Sequence, residues 1–383
     1  MKKIRIALIG VSGYGKVHFN YLKQLAEQGA AEFAAAVVIN PDQVPDELAI
    51  LRTLGAKVYP STDAMYAELS GKLDLVCLPT GIAFHESMTE QALANGANVL
   101  VEKPAAGSAA AIRRMMEAEQ KYGHFVAVGF QHIYAREIQF IKQYLLSGRI
   151  GRVKRIVSMG LWPRADQYYH RNNWAGRLAA ADGTPILDSP VNNAFAHYLN
   201  LQLFLSGDTF ATSAHAESVE GMLCRARPEI ETFDTSALRF RTANGVELLS
   251  LFTHTVGQGD NPSMRIECEN GAVYWKLDST WNIRNAEGAI LHSGIVEAPH
   301  MDMFRDMIRK IGGEPVFTCP LSLAIEHTLC IEMLTKELTP IVLKESAVRR
   351  EKDGQYILDN VNEVFRDCCL NAALPQERGV NWK

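Results

Sequence analysis

Long apolar runs are missing from this chain. No segment approaches the 18 or so uninterrupted apolar residues that a membrane-crossing helix needs, so no membrane role is expected. Paired cysteines are missing too. The seven cysteines (Cys77, Cys224, Cys268, Cys319, Cys330, Cys368 and Cys369) include no C-x-x-C spacing and are odd in number. Buried free thiols in a reducing compartment are the expectation, and with them a cytoplasmic location. The 11 histidines are dispersed, with no His-Glu-x-x-His spacing, so no metal site is expected. No excess of one charge exists either. A net charge of −4 gives no electrostatic footprint for nucleic acid or an anionic membrane. Internal repeats, low-complexity tracts and long charge blocks are absent. The start, from Met1 to Gly10, resembles a signal peptide only superficially. Its apolar run is short, no small-residue cleavage site follows, and a glycine turn comes at once.

What is present is an ordinary globular composition, 47% hydrophobic and 21% charged, over 383 residues. That length exceeds one small core, so two domains are expected, at 1–130 and 131–383. The first stretch alternates apolar strand and helix. Strands are expected at 4–9, 33–39, 57–59, 73–78, 98–101 and 124–130. Helical patterns lie between them at 15–28, 45–54, 85–95 and 108–122. Continuous apolar strands separated by helices describe a parallel, doubly wound sheet, a Rossmann-type dinucleotide-binding domain. Beyond Gln131 the rhythm changes. After a helix at 137–147 come longer β-like runs at 153–161, 211–219, 235–241, 246–255, 264–269 and 271–277. Several meet at Asn-Gly turns. Helices are expected near 190–205, 302–311 and 320–337. The fold class is α/β: a Rossmann domain followed by an α/β domain with a large, open, mostly antiparallel sheet.

Two segments carry chemistry. Gly10-Val11-Ser12-Gly13-Tyr14-Gly15 follows a strand and opens a helix, the context that a dinucleotide fingerprint requires. Gly10 makes the tight turn, Gly15 permits close helix–strand packing, and the helix N-terminus faces the pyrophosphate. Ser12 stands where the pattern has its second glycine. The second strand is followed by Asn40-Pro41-Asp42, and Asn40 or Asp42 is the candidate for the adenosine ribose. No Lys or Arg occurs from 24 to 51, so NAD is favoured over NADP, which stays open. The other segment is Ala97-Asn98-Val99-Leu100-Val101-Glu102-Lys103-Pro104. An apolar strand runs straight into a lysine restrained by proline, at the sheet end where ligands bind.

With these residues the chain resembles the glucose–fructose oxidoreductase / inositol dehydrogenase / MocA family. The resemblance rests on the Gly-rich turn continuing to His18, on Leu78-Pro79-Thr80 with His85, on Ala92–Gly96, and on Glu102-Lys103-Pro104. It implies a nicotinamide cofactor bordered by Pro79, Thr80, His85, Glu102 and Gln131, with Lys103 between nicotinamide and a sugar, cyclitol or polyol. It implies a cis Lys103–Pro104 bond as well. The family's second signature, Asp-x-x-x-His at a helix start, falls on Asp188, but Asn192 holds the histidine position and His197 follows five residues later. Asp188 and Asn192 are expected on one helix face, because residues four apart share a face. The catalytic candidates are Lys103, Asp188 and His197. The polar, aromatic loop at 163–177 suits a sugar. Tyr169, Arg171 and Trp174 are its candidates, with Asn192 and His327 as further substrate residues.

The function expected is NAD(P)-dependent oxidation of a secondary hydroxyl. Lys103 holds the reacting oxygen by a charge-assisted hydrogen bond rather than serving as the base. A competing class is a glycosidase or lyase that retains its NAD and works by transient oxidation and elimination; the missing histidine favours it. A third is a non-catalytic, dinucleotide-dependent regulator, against which Lys103 and Asp188 argue. A broad antiparallel sheet that covers only one of its faces predicts a homodimer or homotetramer.

Overall fold

A computed structural model describes residues 3–382; Met1 and Lys2, at the start of the signal-like segment, and Lys383 lie outside the described residues. The chain divides into two compact units. One runs to Ala135 and includes Pro299–Ile325; the other is Arg136–Ala298 with the chain from Glu326 on. The expected second domain, 131–383, therefore loses residues 299–325 to the first unit. The reason is local: Phe304 packs edge-on against His18 at 5.0 Å and stacks with Tyr21 at 5.7 Å. An amphipathic helix was legible there, but not the unit it covers.

In the first unit, β1 (Arg5–Ile9), β2 (Glu32–Val37), β3 (Lys57–Tyr59), β4 (Leu75–Leu78), β5 (Asn98–Val101) and β6 (Val126–Val128) form one sheet. Its order is β3-β2-β1-β4-β5-β6, parallel throughout. Helices α1 (Gly15–Glu27), α2 (Pro45–Thr53), α3 (Thr62–Leu69), α4 (His85–Ala94) and α5 (Ala109–Tyr122) make the crossovers. The strands read as continuous apolar runs because both faces are covered: Leu8, Val76, Cys77, Val99 and Leu100 are fully buried. The hydroxyls of Ser61 and Ser108 cap α3 and α5 by accepting from Ala64 and Ala111 amides. Gly123, at φ 71°, ends α5 in the left-handed region. The order reverses between β1 and β4, and such a switch point opens a crevice at the carboxyl ends of the strands.

The second unit contains α6 (Arg136–Leu146), β7 (Val153–Leu161), α7 (Asp166–Tyr169), α8 (Ala196–Ser206), β8 (Ala216–Arg225), β9 (Thr235–Thr242), β10 (Glu247–Thr253), β11 (Asp260–Cys268), β12 (Gly271–Lys276), β13 (Thr280–Asn285), β14 (Ile290–Ile295) and β15 (Ile341–Val342). The strands form a nine-stranded sheet ordered β14-β13-β12-β11-β7-β10-β9-β8-β15. Only β7–β10 and β8–β15 pair in parallel. Side chains alternate across the sheet. On one face Val157, Met159, Leu161, Leu249 and Leu251 pack with Val361, Phe365, Cys368, Leu374 and Trp382. On the other lies α8, whose Gln202 amide donates to the carbonyls of Ile156 and Leu249, while Ser250 donates to its oxygen. The C-terminal helix Val361–Asn371, unread in the sequence, thus covers the central part of the face that was expected to need a partner.

All seven cysteines are free thiols, and burial pushes Cys77, Cys319 and Cys330 well up, away from reactivity. Among the described residues no helix is long and apolar enough to cross a membrane.

Candidate active site

The candidate cofactor site lies at the carboxyl ends of the parallel strands of the first unit. Gly10 (φ 88°) donates its amide to Val37, and Gly13 takes φ 57°. A Cβ on Gly15 would stand 2.3 Å from the Gly10 carbonyl oxygen and 3.6 Å from Pro79, so only glycine lets α1 begin there. Ser12, Gly13 and Tyr14 are exposed at the turn. Asn40 is exposed beyond β2. Lys16 reaches towards α2 from α1, but its ammonium is paired with Glu47 at 2.8 Å.

Glu102 and Lys103 follow β5. Glu102 is buried and meets His18 Nε2 at 2.8 Å. Its other oxygen accepts the Lys103 amide at 3.1 Å. Burial works against this carboxylate, but the His18 hydrogen bond and the nearby His18 and Lys103 charges outweigh it and hold its pKa low. A Cβ on Gly129 would come within 2.5 Å of Glu102, so the carboxylate occupies space that only a glycine leaves. The Lys103–Pro104 bond is cis, as expected. His85 Nδ1 lies 3.0 Å from Pro104 O and its Nε2 3.0 Å from Thr80 O, and burial lowers its pKa against the pull of these carbonyls. Both nitrogens face backbone carbonyls, and the ring lies between the segment after β4 and the one after β5. The hydroxyl of Thr80 and the amide oxygen of Gln131 are buried at strand ends with no partner. Unsatisfied groups of this kind, beside a glycine turn opening a helix, fit a dinucleotide with a polar ring.

The candidate substrate residues of the second unit centre on Asp188. The expected helix over 190–205 starts later, at Ala196. Residues 189–195 form turns because their side chains compete with the helix for backbone groups. Asn192 donates to the carbonyls of Ile186 and Leu187, at 2.9 and 3.2 Å. Asp188 and Asn192 therefore share no helix face. The residue that meets Asp188 is Asn193, whose amide donates to Oδ1 at 2.8 Å, while the Gly176 amide donates to Oδ2 at 2.6 Å. His197 is buried in the first turn of α8. His327 is fully buried and its Nε2 donates to Val191 O, so it props the turn and is not a surface for substrate.

In the 163–177 loop, Tyr169 is buried under the guanidinium of Arg227, 4.3 Å from its ring. Arg171 is exposed and stacks on Tyr168 at 3.7 Å and Trp174 at 5.2 Å. Arg227, itself 1% exposed, pairs with Asp166 and Glu229, and Asp166 also pairs with Arg350. The loop is thereby clamped to the segment around 350.

Family models match both units. The model described as an oxidoreductase family with an NAD-binding Rossmann fold matches residues 4–130, and the GFO/IDH/MocA C-terminal domain matches 138–274. The chain belongs to the GFO/IDH/MocA family. Its first unit is an NAD-binding Rossmann domain. Among similar proteins is an inositol 2-dehydrogenase of Pseudomonas fluorescens Pf-5, 31% identical over 43% of this chain and 48% of that protein. Another is inositol 2-dehydrogenase 2 of Saccharopolyspora erythraea, 28% identical over 62% of this chain and 64% of that protein. The matches to these two relatives thus span between about half and two-thirds of their length. Similar solved structures include the WlbA dehydrogenase of Bordetella pertussis with NADH and UDP-GlcNAcA. Its TM-score is 0.70 at 23% identity, with 88% of this chain and 96% of that one covered. A levoglucosan dehydrogenase with NADH has a TM-score of 0.72 at 14% identity over the same shares. These two resemblances are of fold.

Within this GFO/IDH/MocA member, sequence reasoning passed over His254, Arg227 and Gly129. His254 had a signal: a lone histidine at the end of an otherwise apolar strand, flanked by Thr253 and Thr255. Arg227 and Gly129 act through contacts distant in sequence and had none.

Proposed function

We propose that this chain oxidises a secondary hydroxyl of a sugar, cyclitol or related polyol, with NAD as hydride acceptor. The observation that carries the reading is Lys103 at the end of β5, fixed by its amide bond to a Glu102 carboxylate that His18 holds. The Gly10–Gly15 turn receives the pyrophosphate, Asn40 the ribose, and the strand-end groups Thr80 and Gln131 the nicotinamide end. The bound cofactor supplies the hydride acceptor. Lys103 holds the reacting oxygen by a charge-assisted hydrogen bond. Asp188, aimed by Gly176 and Asn193, accepts a substrate hydroxyl, and His197 is the candidate for proton transfer. Tyr169 shapes the substrate loop, and Arg171 with Trp174 offers a stacking surface for a sugar.

The test is reduced-nicotinamide absorbance with NAD and a panel led by myo-inositol, the substrate class named by the relatives, followed by glucose, uronic acids and levoglucosan. Steady accumulation with one of them supports the reading; none with any member defeats it. Direct titration is expected to give a lower Kd for NAD than for NADP, because no Lys or Arg occurs from 24 to 51 and Lys16, which reaches towards α2, is already paired with Glu47. Tighter NADP binding overturns that preference.

One observation favours a second reading. The Asn192 amide is committed to two backbone carbonyls, so no imidazole stands at the family's position. A redox-neutral glycosidase or lyase that keeps its NAD turns over glycosides without accumulating NADH, and the same assay separates the two.

We also propose a homodimer or homotetramer. With the central sheet face covered, the exposed apolar residues of the outer strands, Tyr274, Ile290, Leu291 and Ile295, are the surface that favours it. Light scattering is expected to give a multiple of the chain mass; a monomer at micromolar concentration contradicts it.

A further inference from the structure

His254 follows β10 directly and is 2% exposed. Strand alternation puts it on the same sheet face as Ser250 and Phe252, the face that carries α8. Its ring stacks on Phe195 at 5.2 Å and lies 5.5 Å from the Tyr168 ring. Its Nδ1 lies 2.8 Å from the Trp162 carbonyl oxygen. A carbonyl only accepts, so Nδ1 carries the proton and donates it there. Nε2 is left with a bare lone pair. That nitrogen is buried and has no partner. His254 borders a small cavity together with Tyr168, Tyr169, Asp188, Ser189 and Thr232, with room for roughly one water-sized group. The hydroxyl of Tyr169 is also buried without a partner. A buried acceptor left unsatisfied is costly, and one hydroxyl satisfies it.

We propose that His254 Nε2 accepts a hydrogen bond from one substrate hydroxyl, making it a substrate-orienting acceptor beside Asp188, in the chain where Asn192 replaces the family's histidine. This rests on the polyol reading above. The charged and titratable groups around the ring agree on its form. Burial pushes the imidazole down to about 3, and Arg164, Arg171 and Arg227 push the same way, against the pull of the Trp162 carbonyl. Asp188, Tyr168 and Tyr169 border the cavity, and Asp234 accepts the His254 backbone amide through its own carbonyl. A neutral ring is a standing acceptor at every working pH and a poor proton carrier. The role is therefore recognition, not general-base catalysis.

Two measurements test this. Nitrogen-15 spectra of histidine-labelled protein without substrate are expected to show His254 as the neutral Nδ1–H form from about pH 5 to 9, across the range in which free imidazole titrates. A proton on Nε2 overturns the proposal. Kinetics then use the panel polyol turned over best, starting with myo-inositol. His254→Phe keeps the aromatic packing and removes the acceptor. KM is expected to rise roughly tenfold with kcat within about threefold, and His254→Gln to recover part of the loss. The pH–rate profile keeps both limbs in each variant. An unchanged KM in His254→Phe, or loss of the acidic limb that an essential base produces, sinks this inference and leaves the polyol reading standing. Wild-type protein inactive on the whole panel sinks that reading and this one with it.

Discussion

Lys103→Ala is expected to bind NAD as the wild type does and to lose nearly all turnover. Lys103 follows β5 and is not part of the glycine turn proposed for the pyrophosphate, so removing its side chain is expected to leave the Gly10–Gly15 backbone and α1 untouched. On the proposed reading, what disappears is the cation that holds the reacting oxygen as hydride leaves carbon. A positioned group of this kind is worth about 10²–10⁴ in rate. The local backbone stays anchored, because Glu102 bonds the residue's backbone amide and is itself held by His18 at 2.8 Å. A loss confined to kcat and kcat/KM, with the NAD dissociation constant within about threefold, is the expected signature. A kcat near the wild-type value removes Lys103 from the mechanism.

Gly15→Ala has the next largest expected effect, and on the opposite quantity. The added methyl stands 2.3 Å from the Gly10 carbonyl oxygen and 2.9 Å from its carbon, which is backbone that cannot swing aside. Either α1 lifts from β1 or the Gly10 turn opens, and both move the amides that face the pyrophosphate. NAD affinity is expected to fall by roughly a hundredfold, equivalent to about 2.7 kcal/mol, with a lower Tm. Ser12→Gly is the control. It restores the family glycine at an exposed position and is expected to leave NAD binding intact or tighter. Calorimetric titration of both variants checks the pair. An unaltered Kd in Gly15→Ala contradicts the assignment of this turn.

Much of the first unit was legible because its strands are buried on both faces and its turns carry glycine. Pro79, Thr80, Glu102 and Gln131 fall at strand ends because such motifs depend on local order. The second unit was legible where apolar alternation is strong, as in β7, which matches its expected range of 153–161. It was not legible where a strand lies exposed, as in β14, which carries His and Ser and buries none of its residues, or where alternation is short, as in β13 with Trp281 and Ile283 alone. β8 was expected at 211–219 and lies at Ala216–Arg225, since its register is fixed by pairing with β9 rather than by its own pattern. The turn after Asp188 failed for a different reason. Helical periodicity from Ala196 was carried back through Pro190, but the Asn192 side chain claims two backbone carbonyls and that of Asn193 reaches the Asp188 carboxylate. Partners such as Arg227, which joins Asp166 to Glu229 within the same unit, leave no periodic trace at all.

The central claim is net transfer of a hydride from a polyol carbon to NAD. It is tested most directly with a substrate deuterated at its carbinol carbons, by mass spectrometry of the nicotinamide and the product after many turnovers. The account predicts one deuterium in the reduced cofactor for each ketone formed. NAD recovered unlabelled and fully oxidised, beside an eliminated or hydrolysed product, contradicts it.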